Sequence, residues 1–223
     1  MTLRKRELLV SGIYHVYNRS IAKQKIFDRS EYLSRVFALV DYYRYQQTLR
    51  FSKYSELSAH TQKSYLNSIK RKQAVVAICA FSFMPNHFHL VLHQLQKNGI
   101  TYFISNFQNS FAKYFNTLTE RTGGLFQDRF KAKYIPDKKE LQKVIRYVHL
   151  NPVTAKIVSY ESLSSDVSTS HRVYLKNINY SFMDNNLLER YFDSESKYES
   201  ILMEEVRIQQ KLRLLDGHLR GVP

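Results

Sequence analysis

The run Phe81-Ser-Phe-Met-Pro-Asn-His-Phe-His-Leu-Val-Leu92 decides the fold. Apolar residues flank Pro85-Asn86, a dipeptide that marks a turn, so the run reads as the two arms of a hairpin. The first arm reaches back through the apolar stretch Ala74–Phe83, and the second runs from His87 to His93. Arms this apolar lie inside a sheet, paired antiparallel across the turn. Alternate residues of a strand share a face, so His87 and His89 stand side by side. Two such imidazoles can ligate a divalent metal or hold phosphate. The same spacing also suits polar residues on an ordinary sheet face.

Upstream of the hairpin, Ile13-Tyr-His-Val-Tyr-Asn18 is β-branched and aromatic and reads as a first strand after Gly12. A basic loop follows, with Arg19, Lys23 and Lys25. Ser30 is the expected cap of a helix over Tyr32–Tyr45, whose Leu33, Val36, Phe37 and Val40 repeat at helical spacing. From Gln46 to Gln73 the pattern weakens into a polar insertion of helix and loop that ends in Lys70-Arg-Lys72. Downstream of the hairpin, Ile100, Phe103, Ile104, Phe107, Phe111, Tyr114, Phe115 and Leu118 make one face of a helix over Gly99–Glu120. That aromatic stripe is expected in the core rather than as a stacking platform. Arg121-Thr-Gly-Gly124 should end the helix with a glycine cap.

Leu125–Ile135 reads as a loop and a strand in which Arg129, Lys131 and Lys133 alternate onto one face. Asp137 is placed to cap a last core helix over Lys138–Leu150, expected to stop at Asn151-Pro152. The order strand, helix, strand, strand, helix, strand, helix predicts an α+β chain with a ferredoxin-like, split βαβ sandwich. Its antiparallel sheet would carry helices on one face. The Ser-rich Ser159–Ser170 looks like a connection, and Leu187–Phe192 and Tyr198–Leu215 like helices. The expected division is a catalytic domain over 1–158, interrupted by the 46–73 insertion, and a helical C-terminal extension over 159–223.

The 223 residues carry 34 Lys+Arg against 19 Asp+Glu, a formal charge of +15. That excess points to a polyanionic partner, nucleic acid before any acidic small molecule, although a basic surface also serves solubility alone. The single cysteine, Cys79, excludes an internal disulfide and a cysteine-rich zinc site. No signal peptide follows Met1-Thr-Leu-Arg-Lys-Arg-Glu7, and no run of ~18 apolar residues exists to cross a membrane. A cytoplasmic, nucleoid-associated protein is the expectation.

Near the end of the last core helix stands Arg146-Tyr-Val-His-Leu-Asn-Pro152. Tyr147 and Asn151 are four apart and share a helix face. By themselves they read first as a core tyrosine and an asparagine that ends the helix before Pro152. Met84-Pro-Asn-His-Phe-His-Leu90 together with Arg146-Tyr-Val-His-Leu-Asn-Pro-Val153 closely resembles the IS200-like single-tyrosine transposases, above all their relatives associated with repetitive extragenic palindromes. Gly124-Leu-Phe-Gln-Asp-Arg-Phe-Lys131 and Gly12-Ile-Tyr-His-Val-Tyr-Asn-Arg19 also look like that family. The likeness covers roughly 12–158.

The resemblance implies a His-hydrophobic-His enzyme that cuts and rejoins single-stranded DNA bearing hairpins. By that likeness Tyr147 is the nucleophile, and His87, His89 and Asn151 ligate Mg²⁺ or Mn²⁺. Asn151 stands where the insertion-sequence members carry Gln, as in the palindrome-associated branch. His149 should face away from the metal. Arg129, Lys131, Lys133, Lys143 and Arg146 are the expected backbone contacts. The family contains both monomers and homodimers, so either state fits. A non-catalytic, domesticated hairpin binder is the main alternative, since ferredoxin-like sheets also serve as nucleic-acid platforms. A metal-independent two-histidine phosphoesterase wants two separate His-x-Ser/Thr motifs, and only one His-Phe-His is present.

Overall fold

Four strands form one antiparallel sheet in the computed structural model, which describes residues 7–183 and 187–219. They are β1 (Ile13–Arg19), β2 (Val76–Met84), β3 (His87–Gln94) and β4 (Lys131–Ile135), side by side in the order β2-β3-β1-β4. The hairpin read from the sequence is β2-β3, turning at Pro85-Asn86. Helix α1 (Ser30–Tyr43) carries the chain from β1 to β2, with β3 between them. Helix α4 (Gly99–Leu118) does the same from β3 to β4, with β1 between. These are the two split βαβ units of the ferredoxin-like sandwich.

Helices α1 and α4 pack together over one sheet face. The stripe on α4 is core, as expected: Phe103, Phe107, Phe111 and Phe115 are buried, and Phe88 of β3 meets Phe107 edge-on at 5.6 Å. The 46–73 segment forms two short helices, α2 (Phe51–Ser55) and α3 (Ala59–Lys70). Their loops are satisfied by tyrosine hydroxyls: Tyr65 accepts from the Thr48 and Leu49 amides, and Tyr102 from that of Gln47. The other sheet face is covered by α5 (Lys138–Thr154) and by the C-terminal helices α6 (His171–Tyr174), α7 (Leu187–Phe192) and α8 (Glu195–Leu219). The tail thus shares one hydrophobic core with the sheet.

Local expectations failed where capping was read from composition. Arg29, not Ser30, is the α1 cap, and Ser30 is already helical. Helix α4 ends before Thr119, and the left-handed residue after it is Glu120 (φ 51°) rather than a glycine. The turn is held instead by side chains: Asn116 Nδ2 donates to the Gly123 carbonyl, and Arg121 Nη2 to that of Gly124. Asp137 does cap α5, accepting from the Glu140 amide at 2.8 Å.

That helix does not stop at Pro152 but runs on to Thr154. A proline there removes only the bond to the Val148 carbonyl, because the turn beyond it closes by other means. Ala155 N–H donates to the Asn151 carbonyl (2.9 Å) and Ile157 N–H to that of Pro152 (2.9 Å). Lys156 N–H donates to the Val153 carbonyl (3.0 Å), with Lys156 itself left-handed at φ 58°. This is a Schellman ending in which lysine takes the place usually held by glycine.

The Ser-rich stretch is more than a connection. β2 is an edge strand, and Ser168–Ser170 lie along it: Phe83 N–H donates to the Ser168 carbonyl (2.8 Å) and Ser170 N–H to that of Phe81 (3.0 Å). A bulge in β2 between Ile78 and Ala80 leaves the Cys79 carbonyl off the ladder, and Tyr174 donates its hydroxyl to it at 2.9 Å.

Candidate active site

Antiparallel pairing lines residues of successive strands into rows across the sheet. One row reads Lys131, Tyr17, His89, Ser82 from β4 to β2, and the next contains Lys133, His15, Val91 and Ala80. In a third row His87 stands between Arg19 and Met84. The histidine pair, His15, Tyr17, Lys131 and Lys133 therefore share the face opposite α1 and α4, beneath α5. Tyr147 projects from α5 onto this face. Its ring meets those of His89 (5.6 Å) and His15 (5.8 Å) edge-on, and it remains 49% exposed. Asn151, one turn along the same helix, is buried, and among the described residues its amide nitrogen has no hydrogen-bond partner.

The imidazoles are held neutral. Burial, reinforced by the Arg19 charge, brings His87 down to about 4. Burial and then the neighbouring His15, His87 and Arg19 bring His89 to about 3. Burial and then Lys133 bring His15 to about 4. At neutral pH each ring thus keeps one lone pair. Asn86 donates through Nδ2 to the Lys23 carbonyl, which turns its Oδ1 toward His87 Nδ1 at 2.7 Å. That oxygen only accepts, so His87 carries its proton on Nδ1 and keeps Nε2 free. His89 Nδ1 is engaged too, 2.8 Å from His15 Nε2. No third His, Cys, Asp or Glu joins the pair in a metal-sized cluster among the described residues. The donor set on offer is two neutral imidazoles and an amide.

The expected backbone contacts are scattered around this centre. Lys131 and Lys133 share its face, with the Lys131 ammonium 6.0 Å from the Tyr17 ring centroid. Arg129 does not alternate with them. From Tyr17 to Ser20 β1 advances three residues, while its partner chain covers five between Phe126 and Lys131, so Arg129 lies in the excess that bends away. Lys143 is exposed and pairs with Glu140 at 3.6 Å. Arg146 is half-buried toward the tail, where Glu205 and Tyr198 act on its charge. His149 faces away from the histidine pair, as expected, into a buried polar cluster with Ser170, His171 and Tyr198.

Three residues of this face were not singled out from the sequence: His15, Tyr17 and Ser82. His15 and Tyr17 repeat the i, i+2 spacing of His87 and His89, a signal in plain view. Only the β1-β3 register makes it meaningful. Ser82, fully buried opposite His89, has a hydroxyl with no partner among the described residues.

A ferredoxin-like sheet with a histidine pair under a tyrosine-bearing helix is the architecture this chain presents. The family model for IS200-like transposases matches residues 11–151, and the chain belongs to that family. Among solved structures, a REP-associated tyrosine transposase bound to a REP hairpin aligns with a TM-score of 0.54 at 12% identity, covering 82% of this chain and 98% of that one. A Deinococcus radiodurans protein described in its structure only as a putative transposase aligns at 11% identity with a TM-score of 0.36, covering 64% and 93%. No curated protein matches the chain.

Proposed function

We propose that this protein is a metal-dependent single-stranded DNA endonuclease and strand transferase, acting on hairpin-bearing DNA through a 5′-phosphotyrosine on Tyr147. The observation that carries the reading is the placement of the half-exposed Tyr147 ring 5.6 Å from His89, within one chain and beside Lys131 and Lys133. Membership of a transposase family and the hairpin bound by the REP-associated relative support it.

The residues fit a divalent cation. His87 and His89 are neutral, His87 has Nε2 free, and the Asn151 amide is buried with one end unpaired. Turning that amide end for end would present its oxygen, a ligand suited to Mg²⁺ or Mn²⁺. A cation held there would act as a Lewis acid on the phosphate oxygens, with open positions for them. Tyr147 Oη attacks phosphorus, giving up its proton as the new P–O bond forms. The bond to the 3′ oxygen breaks and leaves a 3′-hydroxyl. One phosphoester replaces another, so rejoining needs no ATP. Lys131 and Lys133 flank the path for the backbone, and Tyr17, between them and His89, offers a ring for an unpaired base. Both halves of the site come from one chain, so a monomer suffices.

The test is to incubate the protein and Mn²⁺ with hairpin oligonucleotides labelled at the 3′ end, on the strand that the 5′-phosphotyrosine would retain, and run denaturing protein gels. We expect label to stay with the protein, and to vanish in Tyr147→Phe or with chelator. Cleavage without an adduct would remove Tyr147 from the nucleophile's role. Tight binding with neither would identify a hairpin-binding protein that has lost its chemistry.

A further inference from the structure

His15 is the buried titratable group on the catalytic face that the proposed chemistry leaves unused. It lies on β1, 9% exposed, with its ring stacked on that of His89 at 5.0 Å and its Nε2 2.8 Å from His89 Nδ1. One proton lies between those two nitrogens, and its side decides what His89 can do. If His15 donates, His89 must carry its own proton on Nε2 and has no lone pair for a cation. If His89 donates, its Nε2 lone pair is free, matching His87, whose Nδ1–H is fixed by Asn86.

We propose that His15 is a positioning residue that accepts the His89 Nδ1 proton, fixing the tautomer and tilt that direct His89 Nε2 toward a divalent cation. The inference rests on reading His87 and His89 as metal ligands. A ligating imidazole commonly donates its other nitrogen to a fixed acceptor, most often a carboxylate or carbonyl. Here no carboxylate joins the cluster among the described residues, and a neutral imidazole takes that place. The site thereby keeps its net positive character, with Arg19, Lys131 and Lys133 around it, which suits a polyanionic substrate.

Two substitutions separate the hydrogen bond from the ring. His15→Phe keeps an aromatic ring against His89 but has no acceptor, whereas His15→Gln keeps an acceptor and loses the ring. Mn²⁺ affinity, followed by electron paramagnetic resonance of the free ion, should fall about 10–100-fold in His15→Phe and recover most of that loss in His15→Gln. Long-range ¹H–¹⁵N spectra of the metal-free wild type should show His89 protonated at Nδ1, with no variant needed. His89 found protonated at Nε2 would overturn the proposal. So would wild-type affinity in a folded His15→Phe protein when His87→Ala has lost its own. Unchanged affinity in His87→Ala as well would instead bring down the metal reading on which the proposal stands.

Discussion

Replacing Tyr198 by Phe should destabilise the protein far more than the loss of one oxygen suggests. The Tyr198 side chain is fully buried, and its hydroxyl lies 2.7 Å from both His149 Nδ1 and His171 Nδ1. The hydroxyl has one proton to share between the two rings. Phe81 N–H donates to Ser170 Oγ at 2.8 Å, and Ser170 Oγ lies 2.7 Å from His149 Nε2 but 3.4 Å from the Phe81 carbonyl. Tyr198 gives its proton to one Nδ1 and accepts an N–H from the other, whichever of the two rings is the donor. Tyr198→Phe strands a buried donor and a buried acceptor together. Each stranded group costs about 1–3 kcal/mol, so the sum is about 2–6 kcal/mol, a large part of the ~5–15 kcal/mol that holds a typical domain. Urea unfolding would show this as a lower midpoint with the slope preserved. The matched control is Tyr134→Phe, at a ring 49% exposed, which should lie within about 0.5 kcal/mol of wild type. A Tyr198→Phe protein as stable as that control would refute this buried network and with it the account of how the tail holds α5.

Stability should also fall as pH drops from about 6.5 toward 4. Burial brings His171 down to about 4 and His149 well below its usual value, so the unfolded chain takes up protons that the folded one refuses. Each such histidine contributes a slope of about 1.4 kcal/mol per pH unit in that window and nothing above pH 7.5, and urea midpoints at pH 7.5, 6 and 5 would test it. A flat profile would mean the rings are hydrated. Separately, Lys131→Ala with Lys133→Ala should weaken single-stranded DNA binding and lower the log–log salt slope by about 0.7 for each phosphate no longer neutralised. An unchanged slope in a salt titration would take both lysines off the DNA path.

Periodicity made most of this fold legible. The hairpin, the phenylalanine stripe of α4 and the strand order follow from spacings of two and of three to four, because burial imposes them directly. What stayed hidden depends on partners distant in sequence. His15 gains its meaning from a residue 74 positions away, and Ser168–Ser170 gain theirs from the edge of β2. Helix ends misled for a related reason. Pro152 can sit in the last turn of α5 because Ala155, Lys156 and Ile157 close that turn, a fact of geometry that composition does not carry. In the site, the paired histidines and the tyrosine came from local spacing and family likeness. The neutral third imidazole needed the register.

The tail that lies along β2 also sets an order in time. Ser170, His171 and Tyr198 are all translated after α5, yet they are the groups that hold His149, two residues from Tyr147, in place. During synthesis strand β3 with its histidine pair, and then α5 with Tyr147, leave the ribosome before the groups that hold His149. A chain broken before Tyr198 would carry the His-Phe-His and Tyr147 motifs without the hydroxyl that bonds both His149 and His171.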